Sequence, residues 1–324
     1  MTTHRLIVRI GAILLGAIPG QLKAQTDADG IMMGKNLFCG GIMTATSSWN
    51  QYWEGTLLRS NANLGSVKTT MIGPMGSWGV TKQLNLIFSL PYVQTRATAG
   101  TLTGLNGFQD FSLTAKYRLY RLKKNISTFS VFGIAGISTP VQDYVKDLLP
   151  VSIGLGSRNL TMRAMLDYQY SNFFVTASGS YIARSNIFID RTAYYTTRMI
   201  YSNEVAMPDA TYSNFRMGFR NKEIVAEAVA DVWTTLGGFD ITKNNMPFPS
   251  NQMNQTRIGI NGKYEPTRWK GISLTAAFYQ TINGRNMGRA SFAQAGFFYI
   301  FNFSKKTGQD NIIVTPMIQI AEFK

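Results

Sequence analysis

Glu227 and Asp231 are the residues of this chain whose types and spacing come nearest to a catalytic arrangement. They are two carboxylates four residues apart on what reads as the polar face of one strand. Such a pair can serve as acid and base, but nothing near it completes a catalytic set. The only histidine is His4, which lies in a segment that reads as removable. The mature chain then has no Ser-His-Asp triad, no imidazole acid–base chemistry and no ordinary zinc site. The Gly-rich run GTLTGLNG at 100–107 lacks the Lys-Ser/Thr of a phosphate loop and opens no helix, so it reads as a flexible loop. An enzyme is not expected, and no catalytic, cofactor or metal residue is assigned.

Other charges stand at regular positions. Asp110, Lys116, Arg118, Arg163, Asp167, Arg216, Arg220, Glu227, Asp231, Arg257 and Lys263 each alternate with apolar neighbours. If the apolar neighbours meet lipid, where a charge near the midplane costs about 2–4 kcal/mol, these eleven side chains point into a lumen. Seven are basic and four acidic. Two arrangements fit this set: a network of salt bridges that fills the interior, or a polar, slightly cationic path for small anionic or aromatic solutes. Glu227 and Asp231 read as lumen charges in either case.

The elements that must hold them are strands. In 83–92, Leu84, Leu86, Phe88, Leu90 and Tyr92 alternate with Gln83, Asn85 and Ser89; in 110–119 the parity reverses, with Phe111, Leu113, Ala115, Tyr117 and Leu119 between polar residues. A period of two over about ten residues makes a strand with one apolar and one polar face. The same reading gives strands at 36–46, 66–78, 126–138, 160–170, 173–184, 211–220, 223–234, 255–264, 272–282 and 290–303. Pro74 predicts a bulge or an end of pairing in the second of these, where boundaries are hardest to place.

Tight connections near 79–82, 122–125, 171–172, 221–222 and 265–271 alternate with long ones near 94–107, 139–158, 185–210 and 235–253. Short turns at one end and long loops at the other describe an outer-membrane barrel, whereas a soluble sandwich has no reason for the asymmetry. Strand ends carry Trp78, Tyr92, Tyr117, Tyr168, Tyr170, Phe173, Trp233 and Tyr264, as membrane interfaces favour. The expected fold is all-β: a transmembrane antiparallel up-and-down barrel of about twelve strands.

His4, Arg5 and Arg9, the apolar run 10–18 and Leu22-Lys23-Ala24 read as a cleaved signal peptide over 1–24. No later stretch approaches the roughly 20 apolar residues of a spanning helix. Of 32 basic residues, removal of Arg5, Arg9 and Lys23 leaves 29 against 17 acidic, a net charge of +12. The basic residues are scattered, and export argues against a nucleic-acid partner. Cys39 is the one cysteine, so no intramolecular disulfide can form. The domain reading is therefore signal peptide 1–24, barrel 25–304, and 305–324 as a C-terminal tail or one more strand.

The run WGVTKQLNLIFSLPYVQT, the Gly-rich loop and GFQDFSLTAKYRLY resemble the family of outer-membrane proteins named for the meta-pathway of phenol degradation. The shared elements are Gly79 to Thr81, Leu90 to Tyr92, Gly107 with Asp110, and Lys116-Tyr117-Arg118, within a similarity that is detailed over 40–140 and general afterwards. The resemblance implies a barrel of the bacterial outer membrane in a Gram-negative cell and a transport role; the phenol link comes from gene context in that family. Gln294 to Phe301 is similar to the terminal-strand signal read by barrel-assembly machinery. The expected partners are outer-membrane lipid, a small-molecule solute and that machinery during biogenesis, with no cofactor. The expected function is a porin-like channel passing small solutes by diffusion, hydrophobic or aromatic ones among them. The rival is a non-conducting structural or surface barrel whose long loops bind a partner.

Overall fold

A strand with one apolar and one polar face must bury its apolar side in protein or present it to lipid. In the computed structural model, which describes residues 26–242 and 247–304, every regular element among them is a strand. The expectations for the signal peptide and for 305–324 fall outside the described residues. The barrel strands are β1 (Leu37–Trp49), β2 (Val67–Gly79), β3 (Leu84–Ser89 continued by Tyr92–Ala97), β4 (Asn106–Phe108 continued by Asp110–Lys124), β5 (Ser127–Pro140) and β6 (Asn159–Tyr170). They continue with β7 (Phe173–Arg184), β8 (Ala210–Arg220), β9 (Ile224–Thr235), β10 (Asn254–Tyr264), β11 (Ile272–Arg285) and β12 (Ser291–Asn302). Each pairs antiparallel with its neighbours in the chain, and β12 pairs back onto β1 from Leu37↔Asn302 to Ser48↔Ser291. The sheet closes as twelve strands, so every strand finds partners on both sides, as a lipid-spanning sheet requires.

The irregularity predicted at Pro74 falls partly elsewhere. β2 runs unbroken against β1 through the Ile42↔Pro74 pair. Its pairing with β3 is what breaks, jumping from Met75↔Ser89 to Ile72↔Tyr92 across Leu90 and Pro91. Pro74 has no N–H to give, but its carbonyl accepts Leu90 N–H at 3.1 Å, and the Pro91 carbonyl accepts Gln109 N–H at 2.9 Å. Only glycine fits opposite this kink: a Cβ on Gly73 would lie 2.3 Å from the Leu90 carbonyl oxygen. The bulge therefore spreads across three strands.

Side-chain burial is inverted relative to a soluble protein. Ile42, Ile72, Leu160, Met162, Leu166, Met217, Ile260, Phe278 and Phe297 are exposed, while Lys116, Asp167, Asn214, Arg216, Glu227 and Asp231 are buried. Water would not tolerate that outer surface; a bilayer is its natural solvent.

Tight turns at 125–126, 171–172 and 221–223 mark one end, and long loops at 50–66, 141–158, 185–209 and 236–253 the other. The β11–β12 connection, 286–290, is short although it lies at the long-loop end. Asn286 explains it. Held at φ 53°, a conformation Asn tolerates better than most residues, its side chain accepts from Gly55 N–H (2.8 Å) and Ile241 N–H (3.1 Å) and donates to Asp240 Oδ1 (2.7 Å) and the Gln252 carbonyl (2.8 Å). The turn is a socket into which two long loops plug.

These loops have a core of their own. Ile187, Ile189, Tyr194, Val205, Met207 and Phe248 pack together with Leu155, and Tyr194 stacks on Phe248 at 5.1 Å. The 141–158 loop turns inward: Thr95, buried on β3, donates to the Val151 carbonyl. Arg191 to Asp147 at 2.5 Å ties the loops to one another. The outer end thus carries a folded cap rather than free loops.

Two carboxylates anchor this cap. The Tyr181 hydroxyl and Arg184 N–H hold Asp209 below the usual carboxylate range, and the Arg285 guanidinium does the same for Asp240. A carboxylate with a depressed folded value stabilises the fold above its unfolded value, 3.8 here, and that contribution is lost as pH falls through the folded value. The cap is therefore expected to resist cleavage within 185–209, 236–242 and 247–253 at about pH 6 and to be cut increasingly by an acid-active protease as pH falls below 3.8. Asp209→Asn with Asp240→Asn should be cut already at neutral pH, and wild-type protection that persists through the acid window would refute the anchoring.

Candidate functional site

One wall of the lumen is built by β6 to β11, whose inward positions carry charges in pairs. Arg216 Nη1 meets Glu227 Oε1 at 2.6 Å, with Asn214 and Asn261 completing the carboxylate–guanidinium cluster at 2.8 Å each. Arg257 grips Asp231 through two bonds, at 2.9 and 3.1 Å. Arg220 approaches both oxygens of Asp167 at 3.3 Å, Thr176 donates to the same carboxylate at 2.5 Å, and the guanidinium lies 3.9 Å from the Phe174 ring centroid. Lys263 pairs with Glu265 at 3.0 Å. Forked Arg–carboxylate geometry fixes both partners, and deleting one member of a buried pair costs about 3–5 kcal/mol. These four pairs balance one another in charge.

The other half of the site is residues 26–35, which no strand contains. From the tight-turn end, where Asn36 N–H donates to the Gly79 carbonyl at 2.7 Å, the chain runs up inside the barrel. Met33, Ile31 and Ala28 are buried there. Lys116, with no exposed surface, donates to the carbonyls of Thr26 (3.2 Å), Asp29 and Ile31 (2.9 Å) and to Asp29 Oδ1 (3.2 Å). Asp29 in turn accepts Thr26 N–H at 2.7 Å and Ile31 N–H at 2.9 Å, so it folds the segment around itself. Arg163 holds Asp27 at 3.0 Å. Gly30 passes so close to β6 that a Cβ there would fall 2.0 Å from Asp167 Oδ1. The segment is a plug fastened by two ion pairs and a close backbone approach.

Between plug and wall a cavity of about 390 Å³ remains. Cys39, Met43, Met75 and Phe298 line it on one side; Arg163, Tyr212, Arg216, Lys263 and Tyr279 line it on the other. Such a lining can hold an apolar or aromatic body beside a polar edge.

Of the eleven charges singled out from the sequence, nine take part in this interior: Lys116, Arg163, Asp167, Arg216, Arg220, Glu227, Asp231, Arg257 and Lys263. Asp110 sits at the outer end, accepting the Tyr144 hydroxyl at 2.9 Å, and Arg118 sits at the tight-turn end, donating to the Lys82 carbonyl at 2.8 Å. Asp27 and Asp29 were missed. The available signal was charge balance: seven basic against four acidic inward residues leaves an unmatched excess, and an acidic pair lies just ahead of the first strand.

A closed antiparallel barrel with an apolar outer girdle, a charged interior and short turns opposite long loops is a bacterial outer-membrane β-barrel. Within that class the chain belongs to the family described as "Putative MetA-pathway of phenol degradation", whose model matches residues 51–287. Among solved structures it is similar to the COG4313 outer membrane channel from Pseudomonas putida F1, with a TM-score of 0.64 at 14% identity over 86% of this chain and 100% of that one. The translocator domain of autotransporter NalP from Neisseria meningitidis gives 0.44 at 11% identity over 85% and 91%. No curated protein matches the sequence.

Proposed function

We propose that this barrel is an outer-membrane channel for small solutes, with apolar or aromatic molecules its best-fitting cargo, and that residues 26–35 close its lumen in the state described. The observation that carries the reading is the half-apolar, half-polar cavity beside a plug held by side chains rather than by strand pairing. The likeness to the Pseudomonas putida channel fits it at the level of fold. The lumen charges are proposed to orient the polar edge of a passing solute.

Proteoliposomes carrying the folded protein should admit a small aromatic solute faster than a sugar of equal size, and planar bilayers should show small current steps. Complete electrical silence together with no solute flux, in protein whose heat-modifiable migration proves a folded barrel, would remove the channel reading.

The rival, a surface barrel whose loops bind a partner, draws on one observation. The 185–209 loop leaves Phe188, Tyr195, Met199 and Tyr201 exposed, Tyr201 by 86%. Trimming residues 190–202 separates the two readings: flux survives under the first and partner binding is lost under the second.

A further inference from the structure

β4 extends past β3 at the tight-turn end. β3 pairs with β4 only as far as Leu84↔Tyr117, and one further bond, Arg118 N–H to the Gln83 carbonyl at 2.9 Å, ends the ladder. β4 nevertheless runs on to Lys124, paired with β5 as far as Lys124↔Ser127. Among the described residues, 119–124 have a strand partner on one side only, an open edge of about 20 Å at 3.3 Å per residue.

An open edge in hydrocarbon would cost several kcal/mol for each unpaired backbone group. The charges on the edge place it outside. Arg121, Lys123 and Lys124 are exposed and no ion pair is formed by any of them among the described residues, whereas the interior charges are paired. A bulge between Arg118 and Tyr120 resets the alternation. Arg121 and Lys123 then stand opposite Ser130 and Thr128, on the face that continues the lumen wall, while Tyr120 and Leu122 stand on the face that continues the lipid girdle.

The geometry points to this edge as a docking site for an extended acidic segment of a periplasmic protein, added to the barrel as one more strand. Backbone groups of 119–124 would hydrogen-bond the incoming chain, and carboxylates at its alternate positions would face Arg121 and Lys123. Two other occupants fit less well. A second copy of this edge would set basic residues against basic residues, and lysines on an edge are a common guard against such self-pairing. An anionic lipid headgroup could meet the charges but could not satisfy a row of alternating backbone donors and acceptors. The inference is independent of the channel reading, because the edge lies outside the plugged lumen.

The probe is a fluorescent peptide alternating Val and Glu over six residues, titrated into the full-length detergent-solubilised protein. Binding should weaken at least tenfold when alternate backbone nitrogens of the peptide are methylated, and by a similar factor in Arg121→Glu with Lys123→Glu. Heat-modifiable migration of that variant checks that the barrel has folded. Binding that survives methylation but is displaced by anionic phosphatidylglycerol micelles would assign the edge to a headgroup and overturn the proposal. No binding to the wild type, or binding indifferent to both changes, would overturn it as well. Solute flux through the same preparation should be unchanged by the peptide.

Discussion

Deleting residues 27–33, which leaves Gln25 and Thr26 behind the predicted cleavage site, should raise single-channel conductance several-fold over wild type. The size of the effect follows from strand number. Eight strands make an interior that side chains fill by themselves. Twelve strands tilted by about 40° enclose a backbone cylinder of roughly 24 Å diameter, too wide for side chains alone. Here the space is taken up by Ala28, Asp29, Ile31 and Met33. Without them Lys116 and Arg163 lose Asp29 and Asp27, but water enters at the same time and solvates them, so the barrel itself should remain resistant to detergent. The native thiol gives a second readout: Met33 packs over Cys39 in one buried cluster, and labelling of Cys39 by a water-soluble maleimide should accelerate about tenfold or more. Unchanged conductance with fast Cys39 labelling would show that the outer cap, not the plug, limits passage.

Lys116→Met should release the plug with the chain intact. One ammonium satisfies three carbonyls and a carboxylate of the segment, all inside the barrel. A methionine of similar length leaves Asp29 as an uncompensated buried charge, a loss of about 3–5 kcal/mol if the segment stayed in place. Leaving the lumen avoids that cost, so the segment should shift by two or more orders of magnitude toward the released state. Raised conductance and faster Cys39 labelling should appear together. Asp29→Asn should have a smaller effect, since the three carbonyl contacts to Lys116 persist. If Lys116→Met behaves as wild type in both assays, the segment is held by shape rather than by this cation.

The strands were legible because their information is local. Alternation at 160–170 and 173–184 around a two-residue turn appears in the structure as Asn159–Tyr170 and Phe173–Arg184, and the twelve strands expected are the twelve found. The break in β3 was harder to read, because Pro74 is visible in sequence while the strand that yields to it is set by pairing with Leu90 and Pro91. The plug was not legible. TDADGIMMGK has no period, and its place depends on Lys116 and Arg163, about 90 and 136 residues away. The apolar residues of the loop cap, from Ile187 to Phe248, follow no period either, because loops pack by shape.

The route of residues 26–35 also ties distant parts of the cylinder together. The segment is continuous with β1, which forms the seam with β12, yet it is fastened to β4 and β6 on the inside. The ion pairs that fill the lumen are therefore also struts: they join the strand at the seam to strands three and five places away in the sheet, across the interior and independently of the backbone ladder.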